Sequence, residues 1–405
     1  MQMYFPFPAM YTRPGGMCKI LGKLNAERMQ TFAAVNRILI LMLLFLASGC
    51  GQSGKQPAFP AGMKRIPARY SSLFFFGTTP TDTFLFIRDP ADTLRFLNRF
   101  YYGKSSQIEG FLKLKRPGRI VALSAVFTGM LEGLDMQNTL LAVDNTDYIT
   151  SPRTVQRIGR NEIVSVAAGG GLQREKLLQL KPDLVVGYYI DPKGHEELQQ
   201  LEKAGAPVLY CQNFLENDPL ARAEWIKVFG WLGKQSQRAE ALFNEVDEHY
   251  QSLRGWDSTD NYHPGVIINA PYHGVWDAPA GGSYMARLIA DAGGNYLFAH
   301  TAGTGRIPLN LEKIVANGNK AEVWLNPGAC ADLECLLLMD KRLSAIEAFQ
   351  NKKVYNCTKT LNSKGGNAYW EYGVMRPDLV LADLCRILHP GFLPEHEFVF
   401  YEPLK

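Results

Sequence analysis

The 405-residue chain lacks the motifs of the common enzyme classes. It contains no G-x-S-x-G nucleophile elbow, no H-E-x-x-H zinc motif and no C-x-x-C pair. Three glycines at 169–171 precede a helical pattern, but they do not have the G-x-G-x-x-G spacing of a dinucleotide site. We therefore predict that the protein is not an enzyme and has no catalytic residues.

Histidine and cysteine are both scarce, with seven of each in the chain. The histidines are scattered, and the cysteines do not have zinc-site spacing, so we expect no resident metal and no cofactor. Without Cys18 and Cys50, five cysteines remain, and at least one of them must be unpaired. Cys330 and Cys335 are close enough in sequence for a disulfide, but we expect both to be buried free thiols.

The chain also lacks a hydrophobic run of the ~20 residues needed to span a bilayer. An apolar segment at 38–47 follows Arg37 and leads through small residues to Cys50. This order is typical of a secretory signal, and Met29 fits as its true start. Small residues directly before a cysteine predict a lipoprotein signal in which Cys50 is acylated. An ordinary signal with an incidental cysteine is the alternative.

An excess of charge of one sign is missing once the leader is removed. The chain has 43 basic and 39 acidic residues, but five of the basic and one of the acidic residues lie within 1–49. The remainder has 38 of each and no net charge. We therefore expect no nucleic-acid partner.

One helix–strand unit occurs twice in the remaining chain. At 172–189 a helical pattern ends at a Lys-Pro-Asp break, and a buried strand at 184–186 follows. At 311–325 a helix, a Gly/Asn break and a strand at 323–325 come in the same order. Two copies of one unit predict two similar lobes that face each other.

Strands and helices alternate from Arg119 onward, which predicts an α/β fold with mostly parallel sheets. A long helical pattern between the two repeats is able to bridge the lobes. The predicted segments are a signal or leader at 1–49, a lipidated tether at 50–63, an N-terminal β-rich extension at 64–118, a first lobe at 119–234, a bridging helix at 235–254 and a second lobe at 264–405.

Five motifs carry a family resemblance. They are R-I-V-A-L-S at Arg119, E-K-L-L-Q-L-K-P-D-L-V-V at Glu175, N-A-P-Y-H-G-V-W at Asn269, S-Y-M-A-R-L-I-A-D-A-G-G-N at Ser283 and R-P-D-L-V-L-A-D-L at Arg376. In this order, over 119–405, the chain resembles the bacterial ABC-transporter substrate-binding lipoproteins that carry ferric siderophores, cobalamin or haem. The resemblance implies two Rossmann-like lobes of class III type, joined by one rigid helix, with the ligand between them.

The resemblance also gives roles to two glutamates. In this family one surface glutamate on each lobe docks onto arginines of the membrane permease, and the matching positions are Glu175 and Glu312. Two rigidly spaced carboxylates are able to meet two arginine forks bidentately. The alternative is that both glutamates only stabilise the N-terminus of a helix.

We expect the ligand pocket at the strand-end loops of both lobes, lined by aromatic side chains that suit a bulky, ring-rich ligand. The predicted ligand-binding residues are Ser124, Thr128, Tyr188, Tyr189, Asn213, Tyr272, His273, Trp276, Asn326 and Trp370. Ligation of haem iron by His273 is a weaker hypothesis, because a lone loop histidine more often forms a hydrogen bond. Three arginines that could clamp an acidic siderophore are Arg153, Arg157 and Arg306.

These features predict an exported, monomeric solute-binding protein at the periplasmic face of the cell membrane, anchored through Cys50. Its expected partners are an ABC permease with its ATPase and a small-molecule metal chelate containing iron or cobalt. The alternative is a surface lipoprotein that binds a protein partner through aromatic patches, because the sequence does not explain the extension at 64–118.

Overall fold

The computed structural model describes residues 59–254 and 262–405. The predicted signal, Cys50 and most of the tether lie outside these residues. Residues 61–405 pack as one unit. Within the described residues, none of the helices combines the length and the apolar character required to cross a membrane.

The extension forms a five-stranded sheet whose strands follow chain order. Its second and third strands form the hairpin that aromatic and threonine-rich segments favour, and the fifth strand is parallel to the fourth. The strands are β1 (Lys64–Pro67), β2 (Phe74–Thr78), β3 (Asp82–Arg88), β4 (Phe96–Gly103) and β5 (Leu112–Lys113).

The extension is part of the protein core, because alternate side chains of its strands face the first lobe. Phe74 contacts Trp225 with ring centroids 5.2 Å apart, and the hydroxyl of Tyr102 donates to the carbonyl of Leu232 at 2.9 Å. These contacts join the extension to the helices that follow the first lobe.

A buried carboxylate, that of Glu224, also joins the extension to the helices that follow the first lobe. Glu224 is fully buried and accepts hydrogen bonds from the backbone N–H groups of Arg69, Tyr70 and Ser71 at 2.7, 2.8 and 3.0 Å. The ammonium of Lys227 lies 3.1 Å from the same carboxylate. The buried charge is thus fully hydrogen-bonded, as burial requires.

The first lobe contains a five-stranded sheet in which all strands are parallel and the central ones are buried on both faces. The sheet order is β12-β11-β6-β7-β8. The elements are β6 (Ile120–Ala122), α1 (Ala125–Gly133), β7 (Leu140–Val143), α2 (Pro152–Gly159), β8 (Val164–Ser165), β9 (Ala167–Ala168), β10 (Gly171–Leu172), α3 (Arg174–Gln179), β11 (Leu184–Gly187), α4 (Pro192–Lys203) and β12 (Val208–Tyr210).

Three helices lead out of the first lobe: α5 (Pro219–Glu224), α6 (Ile226–Leu232) and α7 (Ser236–Arg254). The long helix α7 contacts both lobes. Near its start Arg238 pairs with Asp135 of the first lobe at 2.6 Å, and near its end the hydroxyl of Tyr250 donates to Asp291 of the second lobe at 2.8 Å. The prediction of a long helix that bridges the two lobes is therefore confirmed, with the helix at Ser236–Arg254.

The second lobe repeats the sheet, with order β16-β13-β18-β19-β20 and only β20 antiparallel. A three-stranded antiparallel sheet, β14-β15-β17, accompanies it. The elements are β13 (Gly265–Ile268), β14 (Pro271–Tyr272), β15 (Val275–Pro279), α8 (Tyr284–Asp291), β16 (Asn295–Tyr296), β17 (Arg306–Asn310), α9 (Leu311–Ala316), β18 (Val323–Leu325), α10 (Leu333–Met339), α11 (Glu347–Gln350), β19 (Val354–Asn356), α12 (Ala368–Glu371), α13 (Pro377–Leu388) and β20 (Glu402–Pro403).

The prediction that Cys330 and Cys335 are free thiols is wrong, because the two residues form a disulfide. The side chain of Asp332 accepts a hydrogen bond from the backbone N–H of Cys335 at 2.7 Å and so caps the start of α10. This turn places the two Cα atoms 5.5 Å apart, within the usual range for a disulfide.

Candidate functional site

Three neighbouring strands of the first lobe, β7, β6 and β11, lead into Asp144, Ser124 and Tyr188 at one edge of the sheet. Open α/β sheets bind ligands at this edge. Tyr188 keeps 42% of its surface accessible, yet burial and the nearby carboxyl of Asp144 raise its pKa. A side chain that is enclosed and still accessible is expected in the wall of a cleft.

An aromatic wall continues from Tyr188 into the second lobe. The ring of Tyr188 lies 5.6 Å from that of Phe214, whose carbonyl accepts a hydrogen bond from Arg222 Nη2 at 2.7 Å. The guanidinium of Arg222 lies 4.0 Å above the ring of Tyr284, the first residue of α8. Burial lowers the pKa of Arg222 and raises that of Tyr284 to about 12. These four residues line one interface between the lobes.

Arg222 carries a desolvated charge at this interface. Its Nε and Nη2 donate to the carbonyls of Glu216 and Phe214 at 2.6 and 2.7 Å. The carboxylate of Glu216 itself accepts hydrogen bonds from Ser71 and Trp225. Within the described part of the chain, no carboxylate forms an ion pair with Arg222. A guanidinium has five N–H donors, so Arg222 retains donors for a ligand.

The three arginines proposed from the sequence are placed differently, because each is already ion-paired. The pairs are Arg153 with Asp135 at 2.6 Å, Arg157 with Glu162 at 2.8 Å and Arg306 with Asp277 at 2.6 Å. Their charges are neutralised within their own lobes, so we exclude them from the candidate site.

The predicted first-lobe residues do not all face the cleft. Ser124 caps α1, where its hydroxyl accepts a hydrogen bond from the backbone N–H of residue 126 at 3.3 Å. Thr128 and Asn213 are buried. Tyr189 stacks on His195 with ring centroids 4.2 Å apart and so packs against α4. Of this set, Tyr188 and Ser124 remain at the strand edge.

The prediction that Trp276 binds the ligand is wrong, because this residue belongs to the core of the second lobe. It is 0% exposed, its indole N–H donates to the carbonyl of Ile268 at 2.8 Å, and its ring lies 5.4 Å from that of Trp324. Tyr272 ends β14, His273 lies in the turn to β15, and both are exposed. In the described residues, no group of three histidine, cysteine, aspartate or glutamate side chains could hold a metal ion.

Asn326 and Trp370 both lie in the second lobe, and the helix that carries Trp370 contacts the first lobe. Asn326 follows β18 with φ +53°, and Trp370 on α12 is 51% exposed. Helix α12 packs closely on α1, because a Cβ on Gly129 would lie 2.2 Å from the carbonyl oxygen of Glu371. Trp370 is therefore on an element that borders both lobes.

A second buried carboxylate joins the lobes beside α12. Glu371 Oε2 accepts hydrogen bonds from the backbone N–H groups of Thr150 and Ser151 at 2.5 and 3.1 Å. The hydroxyls of both residues also donate to this carboxylate at 2.5 Å. Burial raises the pKa of Glu371, although these hydrogen bonds favour its charged form. The contact fixes one loop of the first lobe to the second lobe.

The two glutamates suggested as docking residues occupy equivalent places. Glu175 lies in the first turn of α3 with 82% of its side chain exposed, and Glu312 lies in the first turn of α9 with 68% exposed. Glu312 pairs with Arg342 at 2.7 Å, and a backbone hydrogen bond and Arg342 lower its pKa. Both carboxylates are accessible to a partner.

Sequence reasoning missed Asp144, Phe214, Arg222 and Tyr284. The signal for Asp144 was present, because it directly follows a buried parallel strand. Arg222 and Tyr284 lie on helices of different lobes, and no local pattern connects them. They could be found only after the chain had folded.

The chain is similar to proteins of one family. Residues 120–361 match the family model described as periplasmic binding protein. An uncharacterized lipoprotein of Methanocaldococcus jannaschii is 26% identical over 236 residues, which are 58% of this chain and 54% of that protein. The chain thus spans about half the length of this curated relative.

Two solved structures have the same fold. A periplasmic haem-binding protein from Pseudomonas aeruginosa is 19% identical with a TM-score of 0.54, covering 71% of this chain and 98% of that one. A possible iron-binding, periplasmic solute-binding protein from Staphylococcus epidermidis is 16% identical with a TM-score of 0.53, covering 68% and 100%. The family consists of substrate-binding proteins rather than enzymes. Since its model matches more than half of the sequence, this chain belongs to the periplasmic binding protein family.

Proposed function

We propose that this protein is the extracytoplasmic solute-binding component of an ABC importer. It captures an iron complex, either a ferric siderophore or haem, or else cobalamin, between its lobes and delivers it to the permease. The observation that supports this proposal most is the wall formed by Tyr188, Phe214, Arg222 and Tyr284, which passes from one lobe to the other. Aromatic faces supply a large contact area for a ring-rich ligand at low entropic cost.

Arg222 favours an iron complex within this group. A desolvated guanidinium binds strongly to oxygens that carry negative charge, such as the chelating oxygens of a siderophore or the propionates of haem. Cobalamin, which would rely mainly on the aromatic contacts, is the second choice. In addition to Arg222 and its aromatic neighbours, the proposed ligand-contacting residues are Ser124, Tyr272, His273, Asn326 and Trp370.

Delivery requires a place to dock and a position at the membrane. We propose that Glu175 and Glu312 bind arginines of the permease, and that an acylated Cys50 anchors a monomer at the periplasmic face of the cell membrane. Both glutamates are exposed on short helices of rigid lobes, which suits recognition at a fixed spacing.

Native mass spectrometry of the mature chain from Gly51 tests the cargo. Spectra are recorded for the protein as purified and after incubation with ferric siderophores, haem and cobalamin. Retention of one ligand at one-to-one stoichiometry supports the proposal and names the class. Absence of binding to all three would favour the alternative of a lipoprotein with a protein partner.

A pair of variants links binding to the wall. We expect Arg222→Leu to weaken binding of the retained ligand at least tenfold, whereas Arg306→Leu removes an ion-paired arginine elsewhere and leaves the affinity unchanged. Equal affinities for the two variants would exclude Arg222 from the site.

A further inference from the structure

Asp144 differs from the other buried carboxylates of the molecule. Glu224 accepts three backbone hydrogen bonds, Glu371 is bound by Thr150 and Ser151, and Asp383 by His396 and the backbone at 399–401. Asp144 Oδ1 is enclosed and has no hydrogen-bond partner among the residues described. Buried acceptors are normally satisfied, so an exception at a ligand-binding edge points to a function.

The surroundings of Asp144 contain no neutralising charge. The groups that influence its carboxyl are the backbone N–H groups of residues 144 and 145, and its charge in turn raises the pKa of Tyr188. The neighbouring hydroxyls of Thr146 and Ser165 bond to each other at 3.0 Å. Burial raises the pKa of Asp144 to about 6. No lysine or arginine in the described residues forms an ion pair with it.

Asp144 and Arg222 lie at opposite ends of the aromatic wall. Asp144 and Tyr188 follow β7 and β11, the two strands that flank β6, and the carboxyl of Asp144 raises the pKa of Tyr188. Tyr188 contacts Phe214, and the carbonyl of Phe214 accepts a hydrogen bond from Arg222. The site therefore presents a negative group at its first-lobe end and a positive group at the contact with the second lobe. A cargo held along the wall would meet both.

We propose that Asp144 is a specificity-determining residue that binds a cationic, hydrogen-bond-donating group of the cargo, such as an ammonium. This inference depends on the proposed function, because it assigns a recognition partner within the same site. A carboxylate with an unused acceptor recognises an ammonium by a charge-assisted hydrogen bond, and it discriminates against an acylated analogue that lacks the charge.

The test uses two probes that differ in one group, a ferric trihydroxamate with a free ammonium and its N-acetylated derivative. Affinities for both are measured by quenching of tryptophan fluorescence at pH 7.5 and pH 5. Haem and cobalamin are included in the same titrations. The proteins are the wild type, Asp144→Asn, and Glu196→Gln as a matched loss of one exposed carboxylate in the same lobe.

We expect the wild type to prefer the ammonium probe at least tenfold at pH 7.5, and less at pH 5, where Asp144 is mostly protonated. Asp144→Asn should lose this preference, whereas Glu196→Gln should keep it. If only haem or cobalamin binds, neither of which carries an ammonium, the inference is overturned. Binding of the ammonium probe to Asp144→Asn as tightly as to the wild type also overturns the inference, while failure of every chelate to bind the wild type counts against the proposed function instead.

Discussion

The two lobes have the same plan, but they place charge differently. Each has a helix with an exposed glutamate in its first turn, followed by a buried strand. Glu175 lies 3.9 Å from Arg174, whereas Glu312 pairs with Arg342 at 2.7 Å. An arginine of the proposed permease partner would compete with Arg342 for Glu312, so we expect the proposed docking to be easier at the first lobe.

The residues that follow the sheet strands also differ in charge between the two lobes. The first lobe carries the carboxyl of Asp144, whereas β13 and β18 of the second lobe are followed by the amides of Asn269 and Asn326, with φ of +71° and +53°. An amide accepts such a left-handed backbone more readily than most residues, and it adds no charge. Similar folding therefore does not imply similar chemistry.

The largest expected effect is on transport. Reversal of both charges, Glu175→Lys with Glu312→Lys, should abolish uptake of the cargo while its affinity for the isolated protein stays unchanged, because both residues are exposed and far from core contacts. Uptake of a radiolabelled ferric chelate by cells and fluorescence titration of the purified protein measure the two quantities. Full uptake by the double variant would eliminate these glutamates as docking residues.

The hydrogen bonds between Glu224 and the extension should contribute strongly to the stability of the protein. Glu224→Ala leaves three backbone N–H groups without an acceptor, at a cost of about 1–3 kcal/mol for each buried group. We expect the free energy of unfolding to fall by about 3–5 kcal/mol, the range for a broken buried network. Urea denaturation measures it, and Glu240→Ala, which removes an exposed partner of Lys227, should cost about 0–1 kcal/mol.

Asp144→Asn, in contrast to Glu224→Ala, should make the protein more stable. Because burial raises the pKa of Asp144 from 3.8 to about 6, its charged form is costly in the folded state. This cost is absent below the unfolded pKa, grows as the pH rises from about 4 to about 6 and is complete above that, reaching at most about 3 kcal/mol. We expect the variant to be about 1–2 kcal/mol more stable than the wild type at pH 7.5, a gain within the limit set by this linkage. The two should be equal near pH 3.5, and a gain that does not depend on pH would contradict this cause.

The disulfide supports the second lobe only. Replacing Cys330 and Cys335 with serine opens a loop of five residues, for which chain entropy predicts about 2 kcal/mol. Cys335 lies on α10 and Cys330 precedes this helix, so the loss should appear in the unfolding of the second lobe. A reducing agent should have the same effect on thermal unfolding, whereas Cys211→Ser would test a buried free thiol of the first lobe as a comparison.

The fold was largely predictable because its signals are local. The strand at 323–325 has the bounds expected from its apolar run, and the helix expected at 235–254 spans Ser236–Arg254. Both depend on periodicity and on breaks at proline and glycine, which neighbouring residues determine. The sheets then follow from the alternation of strands and helices.

The site was less predictable, because its chemistry depends on distant contacts. The sequence suggests an aromatic Trp276 after a strand, but the residue lies within β15, and its position in the core depends on Trp324 and on the carbonyl of Ile268. Arg222 could not be distinguished from exposed arginines until its contact with Tyr284 was known. Sequence patterns locate the edge at which a ligand binds, whereas the side chains that meet there are set by the tertiary fold.

The smallest expected effect concerns Arg342, which distinguishes the surroundings of Glu312 from those of Glu175, the two glutamates proposed to dock. Arg342→Ala removes the ion pair of Glu312 and also frees Asp340, which lies 2.7 Å from the same guanidinium. An exposed pair contributes only about 0–1 kcal/mol, so stability should hardly change. Because Glu312 no longer has to exchange one arginine for another, the affinity for the detergent-solubilised permease should rise up to about fivefold, as an exchange of ~1 kcal/mol allows. Arg174→Ala is the matched change beside Glu175 and should have less effect, since its contact is longer at 3.9 Å. An equal gain for both variants would mean that the lobes dock with equal readiness, despite the different surroundings of their glutamates.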